Sequence, residues 1–177
     1  MTEKIIIAGS GGQGIMLLGK VLAESAMEEG KFVTWLPAYG AEVRGGTAHC
    51  MVVISDEEIG SPYIDKADTL IIMNKPSLAR FSSRLKKNGA MIINSSLANV
   101  KNNLAGIRKH PFTDMAGALG NVKVANMIAL GCYLRNSKTV KISSVLSVIK
   151  KMAPAGRGDL IKINQQALDM GVNLKNG

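Results

Sequence analysis

The chain has 177 residues, of which 46% are hydrophobic, and a formal net charge of +9. A chain of this length holds one domain with a substantial core, and no window reaches the roughly 18 to 20 uninterrupted apolar residues that a membrane helix requires. The apolar run after Met1 is too short for the core of a signal peptide, so we expect a cytoplasmic protein without a membrane segment.

The cysteines and the basic residues argue against two further classes. Cys50 and Cys132 are far apart and form no CxxC pair, so the sequence shows no signature of a disulfide framework, a metal site or an iron–sulfur cluster. The positive charge favours an acidic partner, which is nucleic acid, a phosphate-bearing ligand or an acidic protein. The lysines and arginines form no block of five or six and alternate with no aromatic residues, which argues against a nucleic-acid surface.

The first forty residues predict a β-α-β unit. Residues 4–8 (KIIIA) are a continuous apolar run of strand length, typical of a buried parallel strand. Ile15, Leu18, Leu22 and Ala26 then fall on one face of a helix that ends near a glycine, and KFVTWL follows as a second strand. Such a unit is normally a right-handed crossover between parallel strands.

The remaining segments continue the alternation of strands and helices. Strands are predicted at 47–55, 68–73, 89–94 and 106–112, and helices near Pro76 to Leu85, from 120 onward, at 142–152 and at 158–171. No composition break, repeat or linker divides the chain, so we predict a single domain over residues 1–177. The predicted fold is α/β, with three layers and a mostly parallel open sheet that carries helices on both faces, as in Rossmann-like folds.

A glycine motif follows the first strand. Gly9, Gly11 and Gly14 satisfy G-x-G-x-x-G between a strand and a helix, where glycines permit a tight turn and the helix presents free N–H groups to an anion. A phosphate or diphosphate ligand is therefore one hypothesis. The alternative is a glycine turn that only packs the helix on the strand.

Two well-known phosphate motifs do not fit this turn. A dinucleotide site needs an acidic residue where the second strand ends, but that strand ends in TWLPAYG, and the acids at 24, 28 and 29 lie on the helix. The segment from Gly14 to Lys20 has the spacing of a P-loop. It is followed by Val21 instead of Ser or Thr, and its apolar residues have helical periodicity. We therefore reject the P-loop and disfavour NAD.

A second glycine-rich stretch, YGAEVRGGTAHC at residues 39–50, precedes the third strand. In an open parallel sheet, the loops at the carboxyl ends of the first two strands lie at the ligand-binding edge, so this loop is expected to face the first glycine turn. Arg44 could grip a phosphate or a carboxylate in a forked geometry, and Tyr39 could stack or donate a hydrogen bond. An ordinary surface loop with solvated charges remains the alternative.

These motifs together resemble a known family. The combination of GSGGQGI after a strand, LPAYGAEVRGGTAHCMVVIS, and later NVKVANMIALG is similar to the gamma subunit of the 2-oxoacid:ferredoxin oxidoreductases over nearly the whole chain. The YGxExRGGTA form looks most like the stand-alone gamma subunits of the 2-oxoglutarate and branched-chain enzymes. It favours 2-oxoglutarate as the substrate of the complex.

The resemblance implies an enzyme whose chemistry is shared among subunits. The complex would oxidatively decarboxylate a 2-oxoacid, with coenzyme A as cosubstrate, to an acyl-CoA and reduced ferredoxin. Thiamine diphosphate, Mg and the iron–sulfur clusters would lie on partner subunits of the alpha, beta and delta types, and ferredoxin would be reached through the complex. This chain would bind no cofactor alone and carry no catalytic or metal-ligating residue, and it could form a homodimer when isolated.

By match of motif, the resemblance assigns nine residues to the coenzyme A side of the site. They are Gly9, Gly11, Gly12 and Gly14 in the first turn, Tyr39, Arg44, Gly45 and Gly46 in the second loop, and Asn126 in the later helix. Asn126 interrupts an apolar helix, so its amide needs a partner, either a ligand or a loop. The rival hypothesis is a stand-alone dinucleotide- or nucleotide-binding module.

Overall fold

The computed structural model describes residues 1–38, 47–98 and 106–174, and its centre is a six-stranded sheet. The strands are β1 (Thr2–Ser10), β2 (Phe32–Ala38), β3 (Thr47–Ser55), β4 (Ala67–Ile72), β5 (Leu85–Asn94) and β6 (Ile107–His110). The helices are α1 (Ile15–Glu28), α2 (Lys75–Phe81), α3 (Phe112–Ala118), α4 (Ala125–Asn136), α5 (Ile142–Met152) and α6 (Gly158–Val172). Short 3-10 turns lie at Ser82–Arg84 and Val122–Val124.

The sheet is mostly parallel, in the order β2-β3-β1-β4-β5-β6. β1 pairs in parallel with β4, β4 with β5, and β5 with β6, whereas β3 is antiparallel to both β1 and β2. The predicted α/β class is confirmed. β3 lies between β1 and β2, so the first two strands run in the same direction but are not neighbours in the sheet.

Burial on both faces of the sheet explains the continuous apolar runs of the central strands. Successive side chains of a strand point to opposite faces. Ile5 and Ile7 therefore join the core formed with α1, α4, α5 and α6, whereas Ile6 and Ala8 join a smaller core with Phe81 of α2. All four side chains are completely buried. A strand buried on both faces cannot alternate between apolar and polar residues.

The second half of the chain differs from prediction in its boundaries. Asn74 caps α2 by accepting the N–H of Ser77 at 3.0 Å, and the helix ends at Phe81, earlier than expected. The 3-10 turn follows it, and β5 begins at Leu85 because that residue already pairs with Ala67 of β4. Residues 106–112 hold β6 and then the first residue of α3, a helix that the sequence did not reveal.

None of the helices in the described ranges combines the length and the apolar character that crossing a bilayer requires.

Two glycines allow α4 and α6 to cross closely. An added Cβ at Gly131 of α4 would overlap the carbonyl oxygen of Leu168, and one at Gly171 of α6 would overlap the carbonyl oxygen of Ile128. Both obstacles are backbone atoms, which cannot rotate away as a flexible side chain could. The absence of a side chain at these positions therefore sets the distance between the two helices.

We expect Gly131→Ala to lower the free energy of unfolding by about 1 to 3 kcal/mol or more, because the added methyl group pushes α6 away from α4. Gly117→Ala in α3 is the matched control, since a Cβ there would lie 3.9 Å from Val122 Cγ1, an ordinary contact. The control should keep or gain up to about 1 kcal/mol, because alanine is a better helix former than glycine. Urea denaturation measures both, and equal effects would contradict the close crossing.

Candidate functional site

The glycine turn lies between β1 and α1, at the carboxyl edge of the parallel strands. Gly12 has φ 88° and Gly14 has φ 70°, conformations that glycine adopts without the penalty paid by other residues. Gly14 is the N-cap residue of α1, and no side chain caps the helix. The first N–H groups of α1 therefore receive no hydrogen bond from a capping side chain and are available to an anion.

Gly9 is required for a different reason, which is close packing. An added Cβ would lie 2.6 Å from Gln13 Oε1, 2.7 Å from Ile15 Cδ1 and 3.0 Å from Met73 Cβ. The turn therefore folds back tightly on the end of β1. Gly9 shapes the turn from inside and is covered by these side chains.

Gln13, which the sequence reasoning did not single out, holds the turn together. Its Oε1 accepts the N–H of Ser10 at 2.8 Å, and its Nε2 donates to the carbonyl oxygen of Met73 at 3.2 Å. The same carbonyl also accepts a hydrogen bond from Asn94 Nδ2 at 3.2 Å. The amide of Gln13 thus ties the turn to the residue that follows β4.

Asn94 extends this network to α3. Its side chain is fully buried, and its Nδ2 also donates to Thr113 Oγ1 at 2.8 Å, while its Oδ1 accepts the N–H of Thr113 at 3.3 Å. The amide side chain therefore joins the end of β5 to the first turn of α3. A signal was present in the sequence, because Asn94 is a polar residue that ends an apolar strand.

Asn126 contacts the glycine turn directly. Its side chain is buried, its Nδ2 donates to the carbonyl oxygen of Gly14 at 3.1 Å, and its Oδ1 accepts the N–H of Met127 at 2.9 Å. An added Cβ at Gly14 would overlap Asn126 Nδ2. The structure therefore brings Asn126 together with the four predicted glycines, and the amide anchors the turn.

Gly11 and Gly12 form the open side of the turn. Both are exposed, and within the described part of the chain an added Cβ at either residue would meet no atom within 4 Å. Gly11 also lacks a positive φ. No contact within these residues therefore explains why position 11 lacks a side chain.

The residues that flank the second loop lie near this opening. Tyr39, Arg44, Gly45 and Gly46 lie outside the described residues. The residues that flank them are described: Ala38 pairs with His49, and Thr47 pairs with Ser10 at the end of β1. Both ends of the 39–46 segment therefore lie at the edge where the glycine turn begins.

The nearby titratable groups are packed, not poised for chemistry. The His49 ring lies 4.8 Å from the Phe81 ring, and burial, assisted by the positive charges of Arg80 and Arg84, lowers the pKa of His49. Burial raises the pKa of the Cys50 thiol to about 12 and that of Cys132 to about 11. Both thiols are therefore poor nucleophiles near neutral pH. Residues 1–38, 47–98 and 106–174 contain no group of three or more His, Cys, Asp or Glu side chains placed to hold a metal ion.

An uncapped helix start and an exposed glycine turn at the carboxyl edge of a parallel sheet are typical of α/β domains that bind phosphate-bearing ligands. The chain belongs to the pyruvate ferredoxin/flavodoxin oxidoreductase family, whose model matches residues 4–174.

Three relatives illustrate the match. The ketoisovalerate oxidoreductase subunit VorA of Methanothermobacter thermautotrophicus is 34% identical over 168 residues, which cover 95% of this chain and 35% of that protein. The 2-oxoglutarate synthase subunit KorC of Methanothermobacter marburgensis is 31% identical over 166 residues, covering 88% of this chain and 89% of KorC. The solved gamma subunit of a keto/oxoacid ferredoxin oxidoreductase from Geobacter sulfurreducens superposes with a TM-score of 0.79 at 26% identity, covering 96% of this chain and 95% of that one.

These matches confirm the resemblance to gamma subunits that the motifs indicated. They also differ in extent, because the chain spans about a third of the VorA proteins but nearly all of KorC and of the Geobacter gamma subunit.

A double-mutant cycle tests the contact between Gly14 and Asn126. Gly14→Ala should destabilise the fold through both its left-handed backbone, which costs about 1 to 2 kcal/mol for an L-residue, and its overlap with the amide. Asn126→Ala removes the overlap, so the cost of Gly14→Ala should fall by about 1 kcal/mol or more in that background. Urea denaturation of the two single variants and the double variant measures the difference. Strictly additive costs would show that the two side chains do not meet.

Proposed function

We propose that this chain is the gamma subunit of a 2-oxoacid:ferredoxin oxidoreductase and that its glycine turn contributes to the coenzyme A site. The complex converts a 2-oxoacid, coenzyme A and oxidised ferredoxin to an acyl-CoA, carbon dioxide and reduced ferredoxin. The observation that carries the proposal is the exposed turn at Gly11 and Gly12, in front of an uncapped helix and beside both ends of the 39–46 segment. The family match and the names of the relatives support it.

The chemistry of coenzyme A suits this edge of the sheet. Its diphosphate and 3′-phosphate are anions, which are stabilised by free N–H groups at a helix start and by the planar fork of an arginine. In this proposal the turn from Gly9 to Gly14 and the loop residues Tyr39, Arg44, Gly45 and Gly46 hold the anionic part of the ligand. Asn126 acts indirectly, because its amide fixes the turn. The chain positions a ligand and supplies no nucleophile.

The rest of the reaction belongs to partner chains. Thiamine diphosphate with Mg, which decarboxylates the oxoacid, and the iron–sulfur clusters, which pass electrons to ferredoxin, are assigned to subunits of the alpha, beta and delta types. We place the assembled complex in the cytoplasm and treat residues 1–177 as one domain of it. Without its partners the chain is inactive and free to self-associate.

The oxoacid has two candidates. The YGAEVRGGTA stretch favours 2-oxoglutarate, and the name of KorC agrees with that choice. The name of VorA points to ketoisovalerate, the branched-chain alternative. The substrate pocket lies mainly on other subunits, so we rank 2-oxoglutarate first and ketoisovalerate second.

Isolation of the native chain under anaerobic conditions tests the assignment. We expect it to co-purify with a thiamine-dependent partner and to support dye reduction that requires both coenzyme A and an oxoacid, with kcat/KM highest for 2-oxoglutarate. Ketoisovalerate and pyruvate are the comparison substrates. Isolation as a lone chain that binds NAD(P), without oxoacid-dependent dye reduction, would instead support the stand-alone nucleotide-binding module.

Two substitutions in the assembled complex test the coenzyme A role. Gly11→Ala adds a methyl group that contacts no described atom of this chain. We therefore expect any change in the KM for coenzyme A to come from contact between this methyl group and the ligand. Arg44→Ala removes a forked contact to phosphate, which is worth about tenfold in affinity. Each change should raise the KM for coenzyme A about tenfold or more and leave the KM for the oxoacid unchanged.

The matched controls for these two changes lie elsewhere on the surface. Gly60→Ala places a methyl group at another exposed glycine whose Cβ would meet no described atom, and Arg135→Ala removes an exposed guanidinium at the end of α4 far from the glycine turn. Both controls should keep the normal KM for coenzyme A. If Gly11→Ala and Arg44→Ala behave like their controls, the turn and the loop do not bind coenzyme A.

A further inference from the structure

A cavity lies at the end of the sheet opposite the glycine turn, near the amino ends of β1 and β4. Its volume is about 360 Å³, within the range of small-molecule sites. The floor includes Glu3 of β1, Thr69 of β4, Ile92 of β5 and Arg108 of β6. The wall consists of residues at the end of α4 and directly after it, which are Tyr133, Asn136, Ser137, Lys138 and Thr139. The glycine turn does not contribute to this cavity, so nothing below depends on the coenzyme A proposal.

Glu3 forms the negative end of the cavity. Its Oε1 accepts a hydrogen bond from Thr69 Oγ1 at 2.9 Å. Its Oε2 accepts hydrogen bonds from Tyr133 at 2.9 Å, from Ser137 at 3.1 Å and from Thr139. All four donors are neutral hydroxyls, and no Lys, Arg or His of the described ranges forms an ion pair with this carboxylate.

Arg108 forms the positive end. Its side chain is half-buried under α4, and its charge opposes the burial-driven rise in the pKa of the Cys132 thiol. Within the part of the chain that the structure describes, Arg108 makes no hydrogen bond and no ion pair. A guanidinium carries five N–H donors in a planar fork that fits a carboxylate.

The other acidic group of the lining does not neutralise Arg108. Asp68 pairs with Lys86 at 2.6 Å and accepts the N–H of Lys4 at 3.0 Å, so its charge is already balanced. The cavity therefore presents one carboxylate that lacks a cation and one guanidinium that lacks an anion, and the exposed Lys138 adds a second cation to the lining. Glu3 and Arg108 lie three strands apart, and the register places Arg108 level with Ile7, four residues beyond Glu3, so the two backbones are roughly 19 Å apart. Their side chains close part of that gap.

We propose that this cavity binds a small organic zwitterion, whose carboxylate is held by Arg108 and whose ammonium group faces Glu3. The separation of the strands requires that several bonds lie between the two charged ends of the ligand. An amino acid with its amino group at the far end of a short carbon chain has this form. The cavity is thus a ligand site distinct from the glycine turn, at the opposite end of the parallel strands.

Three probes with similar five-carbon chains separate the contributions of the two charges. The purified full-length chain is titrated with 5-aminovalerate, pentanoate and pentylamine, and amide chemical shifts are followed by NMR. We expect 5-aminovalerate to saturate, with shifts at Thr69, Arg108 and Ser137, and the two singly charged probes to bind at least about tenfold more weakly. Absence of a saturable shift with 5-aminovalerate would overturn the proposal, and equal binding of pentanoate would overturn the role of Glu3.

Variants of the positive end complete the test. Arg108→Gln should weaken 5-aminovalerate binding about tenfold or more, whereas Arg108→Lys, which keeps the charge but loses the fork, should weaken it less. Arg80→Gln removes the same charge from the surface of α2, away from the cavity, and should leave binding unchanged. The NMR spectrum of each variant shows whether it is folded. Unchanged binding by a folded Arg108→Gln variant would contradict the assignment.

Discussion

The hydrogen bond from Asn126 to the carbonyl oxygen of Gly14 is the contact on which the glycine turn depends. It joins the start of α4 to the start of α1, two points separated by 112 residues in the chain. Because the amide occupies the space where a side chain at position 14 would lie, residue 14 must be glycine for steric as well as conformational reasons. The exposed side of the turn at Gly11 and Gly12 is therefore supported by the buried contact between Gly14 and Asn126.

The same edge of the sheet is organised around the carbonyl oxygen of Met73. Gln13 and Asn94 both donate to it, from the turn after β1 and from the end of β5. Asn94 in turn bonds to Thr113, which brings the first turn of α3 into the network. Side-chain amides suit this position because each can donate and accept at once, so a single residue satisfies groups on two elements.

The sequence predicted what local patterns determine. The apolar run of β1, the helix after it, and the turn at Gly9, Gly11 and Gly14 followed from strand-length apolarity, helical periodicity and the spacing of the glycines, whereas Gly12 came from the family resemblance. It could not predict contacts between distant residues, such as Gln13 with Met73 or Asn126 with Gly14, because the partner of an amide is set by the tertiary fold. α3 escaped notice because its seven residues are too few to show a helical period. The position of β3 between β1 and β2 was missed because an apolar strand pattern does not specify its neighbours.

The antiparallel insertion of β3 has a consequence for how such a protein can diversify. β2 and β3 form continuous antiparallel pairs from Phe32 with Ser55 to Ala38 with His49. The backbone hydrogen bonds between these two strands therefore fix the positions of the residues that flank the 39–46 segment. Substitutions or length changes within that segment should leave the pairing of β2 with β3 intact. In a connection that crosses the sheet through a helix, the same changes would shift the packing of that helix. The segment between these two strands can therefore change in length or sequence without rebuilding the scaffold.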